Sequence, residues 1–444
     1  MNPKTVREPA RETPVLGEPD VLVAGGGVAG IAAAAAAARA GAKVLLLERW
    51  GFLGGTVSAV TLGGFCGVWA VTPDDLIPVV DGLFGELVDR LKQRDAVTAP
   101  RRWSQAASLP YDPTSVRLVA DEMMAAYGVE VMFHSWVADV AAEDGRVATV
   151  FVENKGGRHA VRPRMVIDCT GDGDIAARAG APFELGSGGI TQFGSSMFRM
   201  APVDVETFGK LSRDEVGERM AAIVAAGTPL PRTMVALYPN PIEGVVHLNA
   251  TRVARSDGEP FDLTDPMQLS EAEREGRRQA YLYESVLREH MPGFARARII
   301  DIGAQIGIRE TRLIEGDHVL TAEEVLGAAK PEDGIACNAW PVEVHAQGLK
   351  TVWKFLEPGE YCRIPYRCLT PAGLRNVLVA GRCVSSTHEA QASIRVSAPS
   401  MAMGEAAGIA AAMALSANCD SRSVEVPALQ EALRREGAIL EPGG

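Results

Sequence analysis

Three side chains able to do chemistry, His388, Glu389 and Arg395, precede a run of small residues and methionines near the end of the chain. A histidine can transfer a proton near neutral pH, and an arginine can hold an anion through paired hydrogen bonds. The same residue types also occur as polar groups at the start of a buried helix. Their role therefore depends on the elements that position them.

Further candidates lie in the middle of the chain. In VVHLNATRV, strand alternation puts His247 and Asn249 on one face and Arg252 on the other. Arginine binds carboxylates and phosphates bidentately, which favours an anionic substrate. The residues predicted to contact substrate are His247, Asn249, Arg252, Arg312, Tyr366 and Arg367. The residues predicted to be catalytic are His388, Arg395, Arg309 and His345.

Structural roles are the alternative for several of these candidates. Arg309 and Arg312 can pair locally with Glu310 and Glu315 and hold a domain interface. A buried tyrosine such as Tyr366 commonly has its hydroxyl satisfied by the protein itself. The sequence leaves both interpretations open.

The strongest local pattern covers residues 20–49. A buried strand leads into Gly25-x-Gly27-x-x-Gly30, then an alanine-rich helix, then a second strand that ends at Glu48. Gly25 permits a tight turn, Gly27 lets a pyrophosphate approach the helix N-terminus, and Gly30 lets the helix pack closely. Glu48 can accept hydrogen bonds from ribose hydroxyls. The pattern predicts a dinucleotide site.

The flanking sequence indicates which dinucleotide binds. The glycine-rich stretch RWGFLGGTVSAVTLGGFCG after Glu48 suits a long cofactor such as FAD. A second match, Gly171-x-Gly173-x-x-Ala176, could bind NAD(P), but no strand ending in an acid follows it, so we assign it as a further FAD contact. The predicted FAD contacts are Gly25, Gly27, Val28, Ala29, Gly30, Glu48, Arg49, Gly54, Gly55, Thr56, Val137, Thr170, Gly171, Asp172, Gly381, Arg382, Arg395 and Ala402.

The remaining patterns predict an α/β fold. We expect a Rossmann-like FAD-binding domain, a parallel sheet with a β-meander, interrupted by an inserted α+β substrate or cap domain. The predicted boundaries are 15–189 for the first part of the FAD-binding domain, 190–362 for the insertion, 363–420 for the return segment and 421–444 for a C-terminal tail helix. The predicted elements include a helix at 114–127, a hairpin at 137–162, and helices at 270–290 and 400–416.

Composition narrows the class of protein. The 444 residues are 47% apolar and 23% charged, with a net charge of −12, which disfavours nucleic acid and anionic membranes as partners. The N-terminus lacks the apolar stretch of a signal peptide, and the seven cysteines show no C-x-x-C or zinc-ligand spacing. We expect a cytoplasmic protein with no metal and no membrane span, and a homo-oligomer is compatible with the sequence.

Ordered blocks across nearly the whole chain resemble FAD-dependent oxidoreductases distantly related to the flavoprotein subunits of fumarate reductase and succinate dehydrogenase. The blocks are ERWGFLGGT, VIDCTGDGDIAARAGAPFELG, VHLNATRV, IGIRETRLIEGDHVLT, RIPYRCLTP and VLVAGRCVSSTHEAQASIR followed by MAMGEAAG. The resemblance implies a glutathione-reductase-type FAD fold and a hydride-type redox reaction, and it implies no particular substrate. The sequence lacks the His-Thr or Cys context of covalent attachment, so we expect non-covalent FAD.

The expected function is that of a dehydrogenase or reductase that moves a hydride between flavin N5 and a small, anionic or polar organic substrate. The alternatives are an oxidase or hydroxylase that uses O₂, and a flavin electron-transfer subunit without turnover of its own. An external electron carrier or O₂ is the expected second partner. The helix that follows Arg395 is expected to direct its positive N-terminus at the flavin.

Overall fold

The computed structural model describes residues 5–345 and 351–443. The strands, in chain order, are β1 (Val15–Gly17), β2 (Val21–Ala24), β3 (Val44–Leu47), β4 (Gly64–Cys66), β5 (Trp69–Val71), β6 (Leu76–Pro78), β7 (Arg101–Trp103), β8 (Ala106–Pro110), β9 (Glu130–Met132), β10 (Trp136–Glu143), β11 (Arg146–Asn154), β12 (Gly157–Val161), β13 (Met165–Asp168), β14 (Phe183–Leu185), β15 (Phe198–Ala201), β16 (Ala236–Pro239), β17 (Val246–Asn249), β18 (Arg298–Ile302), β19 (Arg312–Ile314), β20 (Gly334–Asn338), β21 (Val342–Val344), β22 (Val352–Lys354), β23 (Cys362–Pro365) and β24 (Val377–Val379).

The helices, numbered in the same way, are α1 (Val28–Arg39), α2 (Thr56–Ala59), α3 (Leu83–Lys92), α4 (Pro113–Ala126), α5 (Asp174–Arg178), α6 (Val205–Phe208), α7 (Arg213–Ala225), α8 (Pro266–His290), α9 (Ala322–Leu326), α10 (His388–Ile394), α11 (Ser397–Ala417) and α12 (Val426–Arg435). Short 3₁₀ helices lie at Tyr366–Cys368 and Ser421–Ser423.

A parallel sheet of order β24-β13-β2-β3-β9 forms the centre of the larger part of the molecule. Strands β2 and β3 are apolar and fully buried, as expected for a parallel sheet covered on both faces. Ala24 pairs with Leu47 on one side and with Asp168 on the other, so the carboxyl ends of three strands meet at one edge. This edge carries the glycine-rich turn between β2 and α1.

The meander consists of β10, β11 and β12, with β1 added in parallel to β12. The sequence predicted a single hairpin at 137–162, and the structure has a second reversal within it. Asn154 accepts a hydrogen bond from the backbone N–H of Gly156 at 2.9 Å, and Gly157 has a φ of 105°. Glycine permits this left-handed conformation, so the chain turns back as a third strand.

Helices α1 and α11 pack with their backbones in close contact. A Cβ at Gly404 would lie 2.0 Å from the carbonyl oxygen of Ala29, and one at Gly408 would lie 2.3 Å from that of Ala33. Helix α11 is long and apolar enough to span a membrane, but 67% of its most apolar window is buried inside the protein. It begins at Ser397 rather than at the predicted residue 400, because Pro399 is tolerated in a first helical turn.

A second core belongs to the inserted segment. Its buried members run from Phe198 to Ala297 and lie between an antiparallel sheet of order β16-β17-β15-β18 and the helices around it. Residues from Ile314 to Val342 pack instead into the core of the FAD-type sheet. The inserted packing unit therefore ends before the predicted boundary at residue 362.

The α1–α11 contact contains a buried carboxyl group, Glu405. It accepts hydrogen bonds from Arg39 at 3.0 Å and from the backbone N–H of Leu83 at 3.2 Å. Burial outweighs these contacts and raises the pKa of Glu405 from 4.5 to about 7. The folded protein therefore binds this proton more tightly than the unfolded chain.

We expect this group to make the free energy of unfolding depend on pH. Its contribution is fully present below about pH 4.5 and is lost as the pH rises through about 7, a change of about 3 kcal/mol. The measurement is denaturant unfolding of wild type and Glu405→Gln at pH 5 and at pH 8. The change between the two pH values in the difference of their free energies of unfolding gives the contribution of Glu405. Glu436→Gln, at the more exposed partner of Arg39, is the control. Equal pH dependence in wild type and Glu405→Gln would contradict the prediction.

Candidate functional site

A cavity of about 440 Å³ lies at the carboxyl edge of the parallel sheet and extends to the inserted unit. It brings together many of the predicted site residues, although these come from distant parts of the chain. The predicted residues that line it are Gly25, Gly27, Val28, Ala29, Glu48, Arg49, Gly54, Gly55, Thr56, Val137, Thr170, Gly171, Asn249, Arg309, His345, Gly381, Arg382 and Arg395.

The three glycines of the first turn serve different purposes. A Cβ at Gly25 would lie 2.4 Å from the carbonyl oxygen of Cys169, and one at Gly30 would lie 1.8 Å from that of Gly25. At Gly27 the nearest atom is the Cα of Gly55, 3.9 Å away. Packing within the protein therefore requires glycine at the first and third positions, whereas Gly27 leaves space for a ligand at the start of α1. Gly30 itself lies outside the cavity lining, beneath the turn.

Glu48 occupies the end of β3, as the sequence predicted. Its carboxylate accepts hydrogen bonds from the backbone N–H groups of Gly26 at 2.7 Å and Trp50 at 2.8 Å. The side chain is 4% exposed, and burial raises its pKa. These contacts hold the carboxylate in place at the wall of the cavity, where a ribose would lie beside the turn.

The loop after β13 contributes a third part of the wall. Thr170 and Gly171 line the cavity, but Asp172 does not. Asp172 instead accepts hydrogen bonds from Arg382 and Thr311, both at 2.8 Å. Burial is the largest influence on Asp172 and opposes its ionisation, but the charge of Arg382, the hydrogen bond from Thr311 and the charge of Arg49 together lower the pKa. In this structure Asp172 holds Arg382, and its contact with FAD stays a prediction.

The chain beyond this loop lacks the second strand of a nucleotide-binding unit. Helix α5 is followed by β14, which pairs antiparallel with β19 and does not join the parallel sheet. The geometry therefore favours the assignment of residues 170 and 171 to the first nucleotide site over a separate NAD(P) site.

The start of α11 also contributes to the cavity wall. Val396, Ser397 and Ser400 line the cavity, whereas the predicted contact Ala402 lies farther along the helix and outside the lining. Sequence reasoning missed Ser397 because it began the helix at residue 400, and it did not select Ser400, the first residue of that predicted helix. Placing the helix start by Pro399 in the first turn would have found them.

Three arginines lie at the end of the cavity nearest the inserted unit, and we call Arg232, Arg309 and Arg395 the arginine cluster. Arg232 and Arg309 are each 6% exposed, and both donate to Oδ1 of Asn249 at 3.4 Å. Arg309 also donates to the carbonyl oxygen of Phe193 at 2.7 Å. Burial, together with the charges of Arg395 and Arg232, lowers the pKa of Arg309 well below its usual value.

Arg395 is the least satisfied member of the arginine cluster. Its Nε and Nη2 atoms are buried and have no hydrogen-bond partner among the described residues. A buried guanidinium without partners costs free energy, and a bound anion or carbonyl oxygen would remove that cost. Arg395 is therefore suited to hold a ligand rather than to stabilise the fold.

His345 and Glu343 form a pair in the same wall. His345 Nε2 lies 3.0 Å from Glu343 Oε1, and Trp340 Nε1 donates to Glu343 Oε2 at 3.3 Å. Burial, followed by the charges of Arg309 and Arg232, lowers the pKa of His345 well below its usual value. These surroundings keep the imidazole neutral, so it can accept a proton only when a bound anion offsets the charge of the arginine cluster.

The described lining also includes residues that the sequence interpretation did not select. Among them are Trp103, Arg232, Tyr238, Trp340, Glu343 and Trp353. These six come from three separate parts of the chain, and no local motif surrounds them.

Four predicted residues lie outside the cavity lining and have partners within the protein. His388 Nδ1 lies 2.8 Å from Oε2 of Glu310; burial opposes protonation, but Glu310 outweighs it and raises the pKa of His388. The other contacts are an ion pair of Arg312 with Asp174 at 3.1 Å, a hydrogen bond from the Tyr366 hydroxyl to the carbonyl oxygen of Ser421 at 2.6 Å, and an ion pair of Arg367 with Asp333 at 2.9 Å. These partners favour structural roles for the four residues, and their catalytic and substrate roles stay predictions.

The pair predicted on either side of one strand is also displaced from the cavity lining. His247 is fully buried against Gly63, and burial lowers its pKa to about 3. The guanidinium of Arg252 lies over the ring of Phe193 at 5.5 Å. Of the residues predicted from VVHLNATRV, Asn249 alone lies in the cavity lining as the structure describes it.

Two observations test whether the cavity suits FAD. The open space at Gly27, at the N-terminus of α1, can admit a pyrophosphate to backbone N–H groups. At the other end, the unpartnered nitrogens of Arg395 and the start of α11 can meet the electron-rich edge of a flavin. The residues present therefore fit this cofactor.

The chain is similar to several known proteins. A curated relative, the thiamine thiazole synthase of Aeropyrum pernix, is 26% identical over 256 residues, covering 55% of this chain and 85% of that protein. Among solved structures, p-nitrophenol 4-monooxygenase of Pseudomonas putida matches with a TM-score of 0.49 and 13% identity, covering 95% of this chain and 85% of that one. A geranylgeranyl bacteriochlorophyll reductase-like protein of Thermoplasma acidophilum matches with a TM-score of 0.46 and 16% identity, covering 95% and 84%.

The family comparison covers almost the entire chain. The family described as FAD dependent oxidoreductase matches residues 20–433, which include both the glycine-rich turn and the α11 wall. The chain therefore belongs to the FAD dependent oxidoreductase family, and it is an enzyme whose cofactor is FAD.

Proposed function

We propose that this enzyme is a dehydrogenase or reductase that acts on a small anionic organic substrate. The observation that carries the proposal is the arginine cluster, in which Arg395 presents two buried nitrogens without a partner among the described residues. An anion placed there would gain charge-assisted hydrogen bonds in a site of low dielectric constant. We also propose that the FAD is non-covalent and that the family relation extends distantly to the fumarate reductase flavoproteins.

The residues that would hold FAD come from both ends of the cavity. Gly27 and the start of α1 would receive the pyrophosphate, Glu48 would accept from the ribose, and Ser397 lies where α11 begins at the other end. When bound, FAD supplies the hydride acceptor or donor of the reaction. The protein contributes orientation, charge and proton transfer.

Within the proposal, the arginine cluster binds and orients the anionic group of the substrate. His345, held by Glu343 at 3.0 Å, accepts the substrate proton released during oxidation, or returns it in the opposite direction. The neighbouring carboxylate stabilises the imidazolium that forms. His388 is not needed in this scheme because it lies outside the cavity lining.

The reaction with oxygen distinguishes this proposal from an oxidase or hydroxylase. We expect the photoreduced holoenzyme to be reoxidised slowly in air and rapidly by an artificial acceptor such as dichlorophenolindophenol. Stopped-flow visible absorbance measures both rates, with free FAD as the control. Rapid reoxidation by O₂ alone would contradict the dehydrogenase assignment. Cytoplasmic location and homo-oligomer formation stay predictions from the sequence.

A further inference from the structure

The arginine cluster faces a wall of a different chemical kind. Trp103, Trp340 and Trp353, which we call the tryptophan cluster, line the same cavity. Their ring centroids lie 5.9 Å apart for Trp103 and Trp340, 5.0 Å for Trp103 and Trp353, and 6.1 Å for Trp340 and Trp353. Phe355 stacks on Trp353 with an interplanar angle of 12°. The rings therefore pack against one another and form one aromatic surface.

This aromatic wall is separate from the cores that stabilise the fold. Its residues form a small cluster of their own with Ala106 and Val396, and Trp103 and Trp353 remain partly exposed. Indole rings left partly exposed in a cavity can gain free energy by covering the face or edge of another ring. The position of these side chains thus favours a ligand that carries a planar apolar group.

The two clusters are joined, so a single small molecule can contact both. Glu343 accepts from Trp340 Nε1 at 3.3 Å and lies 3.0 Å from His345, which lies among the charges of the arginine cluster. The guanidinium of Arg213, which also lines the cavity, lies 4.6 Å from the centroid of Trp103. Glu343 sets one negative charge against the three arginines of the cluster, which leaves the arginine cluster with an excess of positive charge.

We infer that the substrate is an aromatic acid, whose carboxylate binds the arginine cluster while its ring packs against the tryptophan cluster. This inference rests on the proposed function and adds the chemical class of the substrate. A short aliphatic acid would leave the tryptophan cluster uncovered. A neutral aromatic compound would leave Arg395 without a charged partner.

The test uses matched ligands on the purified holoenzyme, with binding followed by the change in visible flavin absorbance. Phenylacetate is compared with cyclohexylacetate, which has the same charge without the aromatic ring, with phenylacetamide, which has the ring without the charge, and with succinate. We expect phenylacetate to bind about tenfold more tightly than each of the other three.

Two variants test the contributions of the tryptophan cluster and the arginine cluster to ligand affinity separately. Trp353→Leu is expected to weaken phenylacetate about tenfold and to leave succinate unchanged, whereas Arg232→Met weakens both acids. Arg367→Met, at an exposed arginine outside the cavity, is the control. If a variant does not fold, the comparison of the four ligands on the wild type still tests whether the substrate is an aromatic acid.

Two results would overturn the inference in distinguishable ways. If succinate or cyclohexylacetate binds as tightly as phenylacetate, the aromatic class is wrong and the anionic substrate of the proposed function stands. If none of the acids binds, the inference and the proposed anionic substrate both fail.

Discussion

Gly30→Ala is expected to abolish FAD binding and to destabilise the fold. The new Cβ would lie 1.8 Å from the carbonyl oxygen of Gly25, a backbone atom that cannot move without displacing the turn. Overpacking of this severity costs about 3 kcal/mol or more. The displaced turn would no longer present the N–H groups at the start of α1 to the pyrophosphate. The flavin released by heat from the purified protein measures the bound FAD, and thermal unfolding measures the stability.

Two further glycine variants separate packing from ligand contact. Gly27→Ala adds a methyl group that meets only the Cα of Gly55, at 3.9 Å, so the fold is expected to persist while FAD affinity is lost. Gly17→Ala adds a methyl group with nothing within 4 Å and serves as the control. Two results would contradict these roles of the glycines. One is full FAD content in Gly30→Ala, and the other is a loss of stability in Gly27→Ala equal to that in Gly30→Ala.

Arg395→Met is expected to remove anion binding while the fold is retained. In the wild type, two buried nitrogens of this guanidinium have no partner among the described residues, so its removal costs the folded state little. A charge-assisted contact at a reaction centre contributes about 3 kcal/mol, and its loss lowers kcat/KM by roughly 10²- to 10³-fold. Titration of the holoenzyme with succinate and phenylacetate measures the corresponding loss of affinity.

The matched control for this variant is Arg367→Met. Arg367 is an exposed arginine that pairs with Asp333 at 2.9 Å, and it lies outside the cavity lining. It should leave both affinities unchanged. Retained FAD with weakened acid binding in Arg395→Met would mark a substrate contact, and loss of FAD would mark a flavin contact. Unchanged acid affinity and unchanged FAD content together would return Arg395 to a structural role.

The glycine-rich turn and its acid could be predicted from the sequence because their chemistry is local. Gly25, Gly27 and Glu48 belong to one strand–helix–strand unit, and the spacing of the unit follows from the geometry of its own backbone. The same holds for the buried strands, whose continuous apolar runs indicate a sheet covered on both faces. FAD as the cofactor follows from this unit and from the blocks shared with the family.

The arginine cluster and the tryptophan cluster could not be predicted in the same way. Arg232, Trp103 and Trp353 lie on separate elements, and only packing of the inserted unit against the sheet brings them to one cavity. The spacing around His388 looked as suitable as that around His345. Only the tertiary structure places His345 in the cavity lining and His388 outside it, where Glu310 from a distant segment pairs with it.

The polar residues His388, Glu389 and Arg395 show what the sequence and the tertiary structure each decide. By itself the sequence determined that His388 and Arg395 lie between the strand that returns to the FAD sheet and the apolar helix after it, because hydrophobic pattern and order along the chain are local properties. The tertiary structure alone decided that Arg395 lines the cavity with two nitrogens that lack a partner among the described residues, and that His388 pairs with Glu310, because hydrogen-bond partners and burial come from segments far apart in the chain.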